Sequence, residues 1–111
     1  MQQISARELK VWFDDATRPQ PMVLDVREPW ELEKCPFPGA RAMPMRTVPG
    51  HLPALQRQPG ADAEMVLICH HGARSYQVGL FLEQQGFSNL YNLYGGVAAW
   101  AQEVDDMMPT Y

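Results

Sequence analysis

The segment Cys69-His70-His71-Gly72-Ala73-Arg74-Ser75 concentrates the groups that can do covalent chemistry in this chain. A cysteine thiolate is a strong nucleophile, and the thiolate is the reactive form. Met65 to Cys69 is a short apolar run that reads as a strand buried on both faces. A helical pattern follows from Ser75 to Gln85, with Val78, Phe81 and Leu82 on its apolar side and Gly86 as its stop. A link this short must curl around its own centre, and Gly72 permits the backbone conformation required. Such a curl turns successive N–H groups inward into an anion-binding nest, which the helix N-terminus reinforces. Arg74 adds a second signal. A cation in the first turn of a helix is unfavourable by about 0.3–1 kcal/mol, and a nearby anion would offset that. Plainer readings exist: Cys69 as a small buried apolar residue, and Arg74 pointing into solvent. Cys69, Gly72 and Arg74 together at one strand–helix junction favour the reactive reading.

The surrounding elements must hold that junction in place. Ser5-Ala6-Arg7-Glu8 is a capping box, and Ile4 and Leu9 have the spacing of a hydrophobic staple. The helix they open is predicted to run through Phe13 and end before Pro19. Met22 to Val26 reads as another strand buried on both faces, and Arg41 to Met43 as a small strand ended by Pro44. A short helix is predicted around His51 to Gln58, stopped by Pro59-Gly60. Leu90 to Leu93 reads as a strand, and Val97 to Val104, after Gly95-Gly96, as the last helix. Strands alternating with helices indicate an α/β domain with a mostly parallel sheet. Ligands of such sheets sit beyond the carboxyl ends of the strands, where Cys69 falls.

Composition sets the outer limits. The chain has 111 residues, the size of one ordinary domain, spanning residues 1–111. Apolar residues make up 46% and charged residues 20%, which argues against disorder. A net charge of -4 argues against nucleic acid as a partner. No apolar run approaches the roughly 18 residues that span a bilayer, so no membrane partner is expected. The start, Met1-Gln2-Gln3-Ile4-Ser5, lacks the apolar core of a signal peptide, and a cytoplasmic location is expected. Two cysteines cannot staple a domain of this size, and three histidines without Cys-x-x-Cys make structural zinc improbable. No metal and no organic cofactor is expected.

The loop Cys69 to Ser75 resembles the active-site loop of rhodanese-like domains. Other segments match in order: Leu24-Asp25-Val26-Arg27-Glu28 with Trp30-Glu31, then Phe37-Pro38-Gly39-Ala40 with Met43-Pro44. Gly86-Phe87, Tyr91-Asn92-Leu93, Gly95-Gly96 and Trp100 complete the set. The resemblance runs from about Ile4 to Trp100. It implies a central five-stranded, mostly parallel sheet with helices on both faces. It also implies sulfur transfer through a persulfide on Cys69. The donor would be thiosulfate or another small sulfane compound, and the acceptor a thiol, cyanide or a protein. Two half-reactions imply ping-pong kinetics. The backbone of His70, His71, Gly72, Ala73, Arg74 and Ser75 would bind the persulfide, and Arg74 would orient an anionic donor. Phosphatase and arsenate-reducing relatives use a loop one residue longer, so the spacing favours the sulfur branch. A binding module that kept the fold without the chemistry is the main alternative.

Some residues stand apart. His70 and His71 are mostly neutral near pH 7, which leaves Arg74 as the one fixed cation of the loop and thiosulfate as a weak donor. The histidines either tune the thiolate or line the rim. Asp25 inside an apolar strand needs a partner, and Arg27 is the nearest choice. Asp25, Arg27 and Glu31 are expected to be structural. Cys35 reads as a bystander thiol in a loop, with sulfur acceptance as its alternative. Trp12, Trp30 and Trp100 are expected in core or rim. The apolar tail Met107 to Tyr111 either packs back or offers a small partner surface.

Overall fold

Five parallel strands form the sheet in the order β1-β5-β4-β2-β3 in the computed structural model, which describes residues 1–111. The strands are β1 (Gln2–Ile4), β2 (Met22–Asp25), β3 (Arg41–Ala42), β4 (Met65–Ile68) and β5 (Leu90–Leu93). The helices are α1 (Ala6–Asp14), α2 (Pro29–Lys34), α3 (Leu52–Leu55), α4 (Ala73–Gln84) and α5 (Gly96–Glu103). The expected sheet is present, and wholly parallel.

Period-two alternation divides the core between the two faces. On one face Val66 and Ile68 of β4 pack with Leu9 and Trp12 of α1 and Val97 and Trp100 of α5. On the other, Leu67 and Cys69 pack with Val78 and Leu82 of α4 and with Leu24 and Val26. Cys69 therefore continues the parity of Met65 and Leu67 and projects to the α4 side. β4 is buried throughout at the centre of the sheet, so its carboxyl end is a rigid platform.

Local sequence explains the main starts. Ser5 Oγ accepts from the Glu8 N–H at 3.1 Å, and Glu8 accepts from the Ser5 N–H at 2.9 Å, so the capping box forms. Ile4 and Leu9 both enter the α1-side core. The sequence pattern predicts neither β1 nor α2. β1 is three residues long and gains its order from pairing with β5, not from its own pattern. α2 is too short for an apolar stripe, but Pro29 opens it with a preset φ and Lys34 closes it with a favourable charge. The helix expected over His51 to Gln58 is shorter, because a turn at Gln56–Gly60 containing Pro59 interrupts it.

Candidate active site

The loop from Cys69 to Arg74 lies between the end of β4 and the first turn of α4. Gly72 sits at φ +101°, the left-handed region that a side chain rarely enters. A Cβ there would also lie 3.2 Å from the Leu93 carbonyl oxygen. This conformation turns the Gly72 N–H toward Cys69, where it donates to Sγ at 3.1 Å. The Ser75 N–H donates to the same sulfur at 3.4 Å, and Ser75 Oγ lies 3.3 Å away. Cys69 is 1% exposed, so these contacts replace water around the sulfur.

Two further elements brace the loop from outside. The Val97 and Ala98 N–H groups at the start of α5 donate to the carbonyls of Cys69 and His70, at 2.9 and 3.0 Å. With those carbonyls tied outward, the loop's N–H groups are free to face the sulfur. Gly96 makes the approach possible: a Cβ there would sit 2.4 Å from both carbonyl oxygens. On the α4 side, Asn92 of β5 donates to the Gly72 carbonyl at 3.1 Å and accepts from the Ser75 hydroxyl at 2.5 Å. Asn92 and Gly96 therefore position the site. The sequence carried a signal for each: a buried amide in a short strand, and paired glycines just before a helix.

Arg74 does not stand free above the thiol. Its Nη1 and Nη2 donate to the two carboxylate oxygens of Glu31 at 2.5 and 2.8 Å. The anion that offsets a cation in the first turn of α4 is thus a side chain of α2. Glu31, expected to be structural only, belongs to the site. It also accepts from the Glu28 N–H at 3.1 Å and from the Tyr111 hydroxyl at 2.8 Å. The Arg74 guanidinium lowers the Glu31 carboxyl to about 2, against the opposing effect of burial. The same hydrogen bonding holds Arg74 above its ordinary range.

The other predicted residues scatter around the loop. His70 is stacked between His71 and Tyr111, with ring centroids 3.9 Å apart in each pair. Burial and the neighbouring His71 push His70 down, so its ring is neutral at neutral pH. His71 and Ala73 are exposed. Asp25 is paired as expected: Arg27 donates to its two oxygens at 3.0 and 2.8 Å, both residues being essentially buried. Arg27 also donates to the Cys35 carbonyl at 2.8 Å. Cys35 is fully buried at the end of α2, where it packs in the α1-side core. Trp12 and Trp100 are core, whereas Trp30 is 56% exposed beside the site. The tail packs back, with Met108 in the core and Tyr111 against the loop. A cavity of about 360 Å³ opens on the far side, lined by Val26, Met45, Val48, Val78, Phe81 and Arg74 among others.

A cysteine at the carboxyl end of a central parallel strand, under the N–H groups of a six-residue loop, defines a class of thiol-bearing α/β domains. The chain belongs to the rhodanese-like family: the family model for the rhodanese-like domain matches residues 5–103. A sulfurtransferase of Allochromatium vinosum is 36% identical over 81 residues, covering 73% of this chain and 72% of that protein. A chloroplastic rhodanese-like/PpiC domain-containing protein of Arabidopsis thaliana is 35% identical over 101 residues, and the chain spans only 32% of its length. Among solved structures, a rhodanese-like domain protein from Staphylococcus aureus superposes with a TM-score of 0.79 at 28% identity, covering 100% of this chain and 99% of that one. No helix is long and apolar enough to cross a membrane.

Proposed function

We propose that the chain is a sulfurtransferase that carries sulfane sulfur as a persulfide on Cys69. The observation that carries this reading is the pair of backbone N–H groups, Gly72 and Ser75, aimed at Sγ inside the loop. The relatives named sulfurtransferase support it. In the first half-reaction the thiolate attacks the outer sulfur of the donor. A new S–S bond forms on Cys69, the donor's own S–S bond breaks, and its electron pair leaves on sulfite when thiosulfate is the donor. In the second, a thiol, cyanide or a protein acceptor takes the outer sulfur and the thiolate returns. Cyanide, for example, leaves as thiocyanate. The inward N–H groups stabilise the anionic sulfur throughout, as preorganised dipoles do at a developing charge. His70, His71 and Ala73 contribute loop backbone.

Arg74 rims the cavity with its charge already balanced by Glu31. A thiosulfate dianion meets little net positive charge there, so thiosulfate is a weak donor. Both cysteines are free, which fits work in the reducing cytoplasm.

Intact-protein mass after incubation with thiosulfate, and separately with polysulfide, tests the reading. We expect a gain of one sulfur atom, slow with thiosulfate, absent in Cys69→Ser and removed by cyanide. No gain from either donor in folded, reduced protein would overturn it in favour of a binding module.

A further inference from the structure

Tyr111 lies outside the segment matched by the family model, yet it touches both flanks of the loop. Its ring stacks on His70, the residue after Cys69, at 14° between planes. Its hydroxyl accepts from Arg27 Nη1 at 3.0 Å and donates to the Glu31 carboxylate, the partner of Arg74. Burial pushes the phenol up to about 12, so it stays a hydrogen-bond donor across the working range. Arg27 follows β2 and His70 follows β4, and these two strands are neighbours with Asp25 opposite Ile68. The tyrosine ring therefore crosses from the end of one strand to the end of the next, over His70, the residue that follows Cys69. Trp30 meets its edge at 5.9 Å and extends the wall. Met108, 7% exposed, anchors the tail that carries it. Between the tail, α5 and His70 only about 120 Å³ is left, against about 360 Å³ on the side of Val26 and Val78.

We propose that Tyr111 is a specificity-determining wall of this site. It closes the approach to Cys69 from the α5 side, so small reagents enter past Arg74 and bulky thiols are held back. The inference rests on the sulfur-transfer reading for its biological meaning, but the geometry of access is independent of it.

Two measurements keep the two apart. The first is alkylation of Cys69, followed by peptide mass, with iodoacetamide and with a bulky pyrene maleimide. Tyr111→Ala is expected to raise the maleimide rate relative to iodoacetamide by roughly tenfold, the scale on which a pocket wall discriminates by size. Tyr111→Phe keeps the ring and should retain the wild-type ratio. The second is discharge of persulfide-loaded protein by cyanide and by glutathione. Tyr111→Ala should accelerate glutathione and leave cyanide within about twofold, a difference too small to mark a change in size selection. A general loosening of the fold would raise both rates of each pair together, and that result would overturn the proposal. An unchanged ratio in Tyr111→Ala would overturn it as well. A protein that never loads sulfur would remove the sulfur-transfer reading alone, because the alkylation ratio still reports the wall.

Discussion

Two arginine–carboxylate clamps stand side by side at the carboxyl edge of the sheet, and they differ in what surrounds them. Arg27 and Asp25 are sealed, with side-chain exposures of 0% and 1%. Arg74 and Glu31 are half open, at 36% and 3%. The sealed pair fixes the end of β2 to the end of α2 through the Cys35 carbonyl. The open pair turns its arginine to the cavity lined by Val26 and Val78. The same chemical pairing thus serves the frame in one place and the Cys69 loop in the other, and exposure separates the two uses.

The largest effect expected is on the frame. Arg27→Ala leaves the Asp25 carboxylate buried without its partner, which destabilises by about 3–5 kcal/mol. Urea denaturation checks this, and a loss below about 1 kcal/mol would erase the distinction between the clamps.

Acid probes the other clamp. The folded-state value of Glu31, about 2, lies below its ordinary value near 4.5, so the clamp stabilises the fold fully above that ordinary value. The contribution, about 3 kcal/mol, is lost as pH falls from there toward 2. A pH series of denaturation midpoints should show this loss in the native protein, and Glu31→Gln should flatten it. An unchanged slope in that variant would assign the acid response elsewhere.

Much of this arrangement is legible in the sequence. The loop, the glycine turn and the need for an anion near Arg74 all followed from residue types at one junction. The identity of that anion did not. Glu31 lies forty-three positions away on a helix too short to show a pattern, and only the parallel order of β2 and β4 brings α2 to the loop. Asn92 was hidden similarly, since its role comes from which strand is adjacent. Local chemistry can be read along a chain, whereas partners across a sheet depend on strand order.

Arg74→Ala sharpens the contrast at a smaller scale. Stability should fall by about 1–3 kcal/mol, less than for Arg27→Ala, because the Glu28 N–H and the Tyr111 hydroxyl still serve Glu31. Persulfide loading from thiosulfate should fall about tenfold or more in the same variant, measured by mass against time. A full loading rate would make this clamp a second piece of frame.

The smallest effect comes from the one group that both clamps share. Tyr111→Phe removes the hydroxyl between Arg27 and Glu31 and should cost about 1 kcal/mol. Thermal unfolding of the double variants with Arg27→Ala and Arg74→Ala would show whether its coupling is to one clamp or to both.

The bracing of Cys69 and His70 by the first N–H groups of α5 has a consequence for synthesis. A chain emerging from the ribosome makes Cys69 well before it makes Gly96, Val97 and Ala98. Until those residues arrive, the two loop carbonyls lack their partners and the N–H groups have no fixed direction. Nascent and truncated chains therefore lack the braced cradle around Cys69, which is complete only when the last helix docks.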